Sequence, residues 1–268
     1  MQAKDFEYDG EFLSDKGYII CSLDESNVQT INSDSQLTFN TQSFLNGKKL
    51  AFSSVLYEDR IEFSFLIMKK PCGKTQNQLA ISGHEERELK RWLNRHNANK
   101  FKFIQPEWEN IFLNGSFNVN NVEISGILYF LELNFISNSP LAFKENVSHK
   151  FVASSSNNKY TFFDESDEIG YIYPNLLKIT CLESGDLEIH NSNENRTTVI
   201  KNCTKNEVIT FNGDLYFFSS LPSHKIQNDF NYTFFRISNS YKNRRNELTL
   251  SKPAVIEFSY NPYVKAVM

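Results

Sequence analysis

The chain has 268 residues, 40% hydrophobic and 22% charged, a balance that excludes wholesale disorder. Its net charge is −4, whereas a nucleic-acid binder carries a strong basic excess or a basic stripe, so sequence-specific nucleic-acid binding is not expected. A domain usually holds about 100–150 residues, so two domains of similar size are expected, with one large β domain as the alternative.

In chain order, the opening Met1-Gln2-Ala3-Lys4-Asp5-Phe6 lacks the apolar core of a signal peptide. No later stretch reaches the roughly 20 apolar residues a membrane helix needs. Synthesis in the cytoplasm without membrane insertion is the expectation. The 24 Phe and 12 Tyr favour pleated, half-buried surfaces and hence β structure. Arg60 to Lys69 alternates, with Ile61, Phe63, Phe65 and Ile67 on one face of a half-buried strand. Cys21, Cys72, Cys181 and Cys203 show no CxxC spacing and read as free thiols in a chain long enough to fold without a disulfide framework.

Ser82 to His96 predicts the one convincing amphipathic helix. Ser82 is its N-cap, and Glu85, Glu86 and Glu88 suit the positive end of the dipole. Arg91, Arg95 and His96 suit the other end. Leu89, Trp92, Leu93 and His96 form one stripe, which packs on a sheet through Leu89, Trp92 and Leu93. Tyr129, Leu131, Leu133 and Phe135 predict a further strand, and Leu128 and Phe130 predict cover on its other face. Ser137-Asn138-Ser139-Pro140 then marks a boundary, giving domains 1–138 and 139–268.

The second half reads as all-β. Its short apolar runs are Tyr160–Phe163, Leu176–Cys181, Asp186–Ile189, Thr197–Ile200, Val208–Phe211, Leu215–Phe218, Thr233–Ile237, Leu248–Leu250 and Ala254–Tyr260. Gly185-Asp186 and Asn212-Gly213 stand where hairpin turns are expected. Many short strands at this spacing predict a sandwich.

Catalytic motifs fail one by one. His84-Glu85-Glu86-Arg87-Glu88 has Glu88 where a zinc-binding helix needs its second histidine. Asp164-Glu165-Ser166-Asp167-Glu168-Ile169-Gly170 places glycine seventh, not sixth, for a calcium loop. Gly73-Lys74-Thr75 lacks the first glycine of a phosphate loop, and no Gly-x-Ser-x-Gly elbow exists. No catalytic residue, cofactor or metal site is expected, and the chain reads as a non-enzyme. Two polar groups remain. Arg87, Lys90, Arg91 and Arg95, with Lys69, Lys70 and Lys74 nearby, are a solvated face by default and a contact with a neighbouring subunit on the sharper reading. His190, Asn191, Asn193 and Arg196, with Glu194, resemble a sugar-contact group, against which stands a plain turn between strands.

Several segments, in order, resemble one known family. They are Phe6-Glu7-Tyr8-Asp9-Gly10 with Leu13, Ser14, Asp15 and Gly17-Tyr18-Ile19-Ile20, the helical Leu89-Lys90-Arg91-Trp92-Leu93, and Gly170-Tyr171-Ile172-Tyr173-Pro174. The closing Asn228 to Ile237, Asn246-Glu247-Leu248-Thr249 and Tyr260-Asn261-Pro262 complete the pattern. The chain resembles the phage distal tail proteins, the tail-tip or baseplate hub of long-tailed phages of Gram-positive bacteria. The resemblance implies a mainly β fold: an N-terminal β-sandwich or split barrel with one α-helix, then a galectin-like β-sandwich. It implies a homohexameric ring between the tail tube protein and the tail-tip fibre or tail-associated lysin, with a hole that passes DNA. It also implies outer domains that hold receptor-binding or upper baseplate proteins, and a place in the virion tail tip. A carbohydrate-binding host-attachment protein is the alternative.

Overall fold

The computed structural model describes residues 4–21, 37–43, 50–57, 60–240 and 242–265. The opening Met1-Gln2-Ala3 lies outside the described residues. The protein divides into two compact units, Met1–Phe143 with Lys265–Met268, and Lys144–Val264. The two units part between Phe143 and Lys144.

In the first unit, seven strands pair antiparallel in the order β2-β1-β7-β8-β9-β6-β3. These are β1 (Phe6–Tyr8), β2 (Glu11–Phe12), β3 (Tyr18–Cys21), β6 (Glu62–Lys69), β7 (Asn99–Phe103), β8 (Ile111–Ile124) and β9 (Ile127–Ser137). Strands β4 (Leu37–Ser43) and β5 (Leu50–Tyr57) pair with each other from Leu37↔Tyr57 to Ser43↔Leu50. Ile61, Phe63, Phe65 and Ile67 are all buried, as their alternation requires. On β9, Leu131, Leu133 and Phe135 are buried, and the opposite face is half-buried rather than closed.

The sheet is strongly curled. Neighbouring strands lie about 4.8 Å apart, so in a flat sheet β1 and β6, four places apart, would be about 19 Å from each other. Yet the rings of Phe6 on β1 and Phe65 on β6 are 5.6 Å apart, and those of Phe63 and Phe103 are 5.3 Å apart. The curl brings non-neighbouring strands face to face around a core of aromatic rings. The Ile20 N–H donates to the Lys4 carbonyl at 3.3 Å, tying β3 to the chain just before β1. The result is a split barrel. Gly115 sits inside β8 where two strands leave no room for a side chain. A Cβ there would lie 2.3 Å from the Ile136 carbonyl oxygen and 2.4 Å from the Phe135 ring.

Two helices follow β6: a single turn, α1 (Gln76–Leu79), and α2 (Gly83–Leu93). α2 buries Leu89, Trp92 and Leu93, as its stripe predicts. His96 does not extend that stripe. It is exposed and lies beyond the C-cap Asn94. Strand β10 (Ala142–Lys144) follows in sequence.

The second unit is a sandwich. One sheet runs β11 (Val147–Val152), β21 (Ala254–Tyr260), β14 (Leu176–Cys181), β17 (Val208–Asn212), β18 (Phe217–Ser219). The other runs β12 (Lys159–Phe163), β20 (Arg245–Leu250), β15 (Gly185–Asn191), β16 (Arg196–Cys203). Alternate residues of both sheets enter one core, where Phe162 on β12 meets Phe258 on β21 at 5.1 Å. Strands β13 (Gly170–Ile172) and β19 (Ile237–Asn239) pair apart from both sheets, α3 (Ile226–Asp229) is one turn, and β22 (Tyr263–Val264) closes the unit.

Two sequence expectations need correction. Gly185-Asp186 does not turn a hairpin. β14 already has β17 and β21 on its two edges, so the chain must cross to the other sheet to begin β15. Thr233–Ile237 is not a strand until Ile237, because Phe234 and Phe235 pack inward from a loop. Asn212-Gly213 does lead into a hairpin, with Leu215 in the left-handed region at φ 61°.

Candidate functional site

The candidate surface is the outward side of α2. Its start is fixed by a capping box. The Ser82 hydroxyl accepts from the Glu85 N–H at 3.3 Å, and the Glu85 carboxylate accepts from the Ser82 N–H at 2.8 Å. Lys69 on β6 pairs with the same carboxylate at 2.8 Å, locking the helix to the barrel. Burial alone would raise the Glu85 carboxyl, but hydrogen bonds from Lys69 and Ser82 hold it at about 2. Trp92 anchors the other end. Its indole N–H donates to the Tyr8 carbonyl at 3.1 Å, and its ring stacks on Phe6 at 5.7 Å.

Between α2 and the β2–β3 edge lies a cleft of about 480 Å³. Its buried lining is Tyr18, Leu89 and Trp92. The Lys16 ammonium lies over the Trp92 ring at 4.9 Å and pairs with Glu11. The Tyr18 hydroxyl is buried and meets no hydrogen-bond partner among the described residues. Burial, then the charge of Glu85, pushes its ionisation up to about 12, so it is a neutral phenol able to donate and accept. His84, Arg91 and Arg95 stand at the opening beside Glu88.

The four basic candidates on and just beyond α2 divide. Lys90 pairs with Glu86 at 2.6 Å, and Glu86 is also held by Asn121 of β8 at 2.9 Å. Arg95 donates to the Trp92 carbonyl at 3.0 Å and faces Asp9 at 3.7 Å. Arg91 is 81% exposed and reaches Glu88 only at 4.0 Å. Arg87, one turn before it, is exposed and has no ion pair among the described residues. The arrangement offers two exposed guanidinium groups on one helix, Arg87 without an ion pair among the described residues and Arg91 only weakly paired beside the cleft, which suits recognition of another surface. Tyr18 and Lys16 were not found by sequence reasoning, since only the fold brings them to the helix.

The second polar group bonds inward. His190 contacts Thr197 at 3.0 Å. Asn191 donates to Asn246 at 2.9 Å and to the Arg236 carbonyl at 3.2 Å. Asn193 donates to the Ser238 carbonyl at 3.0 Å, and Arg196 to the Phe234 carbonyl at 3.0 Å. Glu194 receives Arg236 through both oxygens, and that guanidinium lies 3.7 Å from the Tyr171 ring centre. These side chains fasten the 234–246 segment to the β15–β16 turn. The acidic run likewise folds on itself, with the Ser166 hydroxyl donating to buried Asp164 at 2.9 Å. No set of three or more His, Cys, Asp or Glu among the described residues is placed to hold a metal ion. No helix among them is long and apolar enough to cross a membrane.

A polar knot that sequence reasoning missed lies in the second unit. Glu207 is fully buried and accepts from the Thr204 N–H at 2.8 Å, from the Ser219 hydroxyl, and from His224 at 2.5 Å. Burial would raise this carboxyl, but those hydrogen bonds bring it below its ordinary value. His224 faces Asp229 on its other side at 3.3 Å.

Comparison with known proteins gives a consistent picture. The family model for a phage tail protein N-terminal domain matches residues 1–139, and that for a phage tail C-terminal domain matches residues 141–260. No curated protein sequence matches. Among solved structures, the crystal structure of SPP1 Dit, described as a paradigm of the hub adsorption apparatus in phages infecting Gram-positive bacteria, superposes with a TM-score of 0.66. The identity is 12%, and the alignment covers 97% of this chain and 99% of that one.

Proposed function

The chain belongs to the family of phage tail proteins, and on that premise we propose that it is the ring-forming hub of a tail tip. Its structural role in the tail follows from the family. The finer reading is a ring of six copies that joins the tail tube protein to the tail-tip fibre or tail-associated lysin and lets DNA pass through its centre. The second unit then holds receptor-binding or upper baseplate proteins. The chain is made in the host bacterial cytoplasm, ends in the virion and catalyses nothing.

One observation carries this reading: both units, and nearly the whole of each chain, align with a single hub protein. A net charge of −4 suits a channel that must release DNA rather than grip it. The exposed Arg87 and Arg91 suit a repeated contact with the next copy, and one such heterologous contact closes a ring when its rotation fits. The carbohydrate-binding alternative draws no support from His190, Asn191, Asn193 and Arg196, whose polar atoms bond within the unit.

Native mass measurement across a concentration series, with electron microscopy, tests the proposal. Six copies of 31.2 kDa give about 187 kDa, and an annular particle of that mass is expected. A monomer at every concentration, and still a monomer when mixed with tail tube protein, overturns it.

A further inference from the structure

Cys181 and Cys203 end β14 and β16, strands of opposite sheets that share no backbone hydrogen bonds. Two pieces of backbone bring them to the same corner of the sandwich. After Cys181 the chain crosses between sheets, and Gly185 then pairs with Cys203. From the other side, the turn after Cys203 folds back, its Glu207 N–H donating to the Thr204 carbonyl at 3.0 Å. The Asn206 N–H of that turn donates to the Cys181 carbonyl at 2.7 Å, and the Cys181 N–H donates to the Glu207 carbonyl at 2.9 Å. Cys181 is thus bracketed by residues three and four positions beyond Cys203.

Both thiols are free, and both residues belong to the core at 2–3% exposure. Their side chains lie close enough that each shifts the other's ionisation, and the Cys203 thiol donates to the Ile200 carbonyl at 3.5 Å. Cys72 is exposed and Cys21 half-buried, and both lie in the other unit.

We propose that Cys181 and Cys203 form a redox-modifiable pair that closes to a disulfide between the two sheets when the protein meets a low-molecular-weight disulfide. Both residues sit in one core at a corner fixed by backbone hydrogen bonds, and a disulfide forms where the backbone already holds two cysteines close. The two thiols are unequal. The interaction with Cys203 lowers the Cys181 thiol, which makes it the attacking sulfur. The same interaction, with burial, pushes the Cys203 thiol up.

The exchange balances in two steps. The Cys181 thiolate attacks one sulfur of the small disulfide, whose S–S bond breaks, and the departing thiolate takes the proton Cys181 released. The Cys203 sulfur then attacks the Cys181 sulfur of this mixed disulfide, expelling the second small thiolate, which takes the proton from Cys203. Two electrons pass to the oxidant, which leaves as two thiols. Entry requires the corner to open, so the reaction is slower than thiolation of exposed Cys72. The product adds a covalent link between two sheets that already share the His149–Tyr160 hydrogen bond, and closes the chain from Cys181 to Cys203 into a loop.

The test uses the full chain, incubated natively with oxidised glutathione, then denatured, alkylated without reductant and mapped by mass spectrometry. The expected result is a peptide pair joined through Cys181 and Cys203, with both positions protected from alkylation. A rise in melting temperature that dithiothreitol reverses should accompany it, and Cys203→Ser should abolish that rise. Peptide mapping of the unaltered chain stands whether or not the variant folds. Alkylation at both positions, or a bond from either one to Cys21, Cys72 or glutathione alone, overturns the proposal.

Discussion

Replacing Gly115 with alanine reverses the usual sign of such a change. Inside a strand, Gly→Ala ordinarily stabilises by about 0.5–1 kcal/mol, because alanine has less freedom to lose on folding. Here the new methyl would stand 2.3 Å from the Ile136 carbonyl oxygen and 2.4 Å from the Phe135 ring. Comfortable carbon contacts begin near 3.5 Å, so about 1 Å must be found on two sides at once. The carbonyl is held in the β8–β9 ladder, where Ser116 pairs with Ile136. The ring is fully buried among Phe63, Phe101 and Phe117. Neither can rotate away, so the net effect should approach the upper end of overpacking penalties, about 2–3 kcal/mol of destabilisation. Urea denaturation read by tryptophan fluorescence is the assay, since buried Trp92 and Trp108 both report on this unit. With a slope of about 1–3 kcal/mol per molar urea, the midpoint should fall by roughly 1 M. Gly83→Ala is the control in the same unit. It opens α2 with nothing within 4 Å of a new Cβ and should stabilise by up to about 1 kcal/mol. A Gly115→Ala midpoint at or above that of the unaltered protein, with unchanged slope, would refute the reasoning.

Glu207→Ala strands three donors, the Thr204 N–H, the Ser219 hydroxyl and His224, and should destabilise by about 3 kcal/mol or more in circular-dichroism melts. Because the folded carboxyl sits below its ordinary 4.5, its contribution is present above that pH and is lost as pH falls through the lower folded value. The variant should therefore show a flatter loss of stability on acidification than the unaltered chain, measured by denaturation from pH 7 to pH 3. Charge reversal of Arg87 and Arg91 together should leave the melting temperature within about 1 kcal/mol of equivalent stability, since neither holds a strong internal pair. The same change should shift native mass from ring to monomer, and an unaltered ring population would remove these residues from the interface.

The sequence was most legible where one local pattern decided the outcome. Ile61 to Ile67 alternates and is buried as alternation demands. Ser82 and Glu85 announce a helix start, and the capping box is there. Failure came where partners distant in sequence decide. Gly185-Asp186 has the chemistry of a hairpin turn, but β14 had no edge left to receive β15. Phe234 and Phe235 look like strand residues, yet they reach the core from a loop. At the candidate surface the basic residues were visible, but their division into paired and free depended on Glu86, Asn121 and Asp9. Tyr18 and Lys16 carried no signal, being about seventy residues from the helix they face. Glu207 reads as an ordinary surface acid, because nothing near it in sequence reveals that Ser219 and His224 will close over it.

The curl of the first barrel also sets the order in which this protein can be made. β1 leaves the ribosome well before its main partner β7, which runs to Phe103 and faces it from nearly a hundred residues later. At roughly 5–20 residues per second, about 5–20 s pass before that partner emerges. During that interval Phe6 and Tyr8 belong to a strand with only the two-residue β2 beside it, and β8 and β9 are not yet synthesised. Closing such a distant pairing is slow and leaves the nascent chain exposed to its neighbours on a polysome. Synthesis on a polysome thus depends on keeping the nascent copies apart until each barrel has shut.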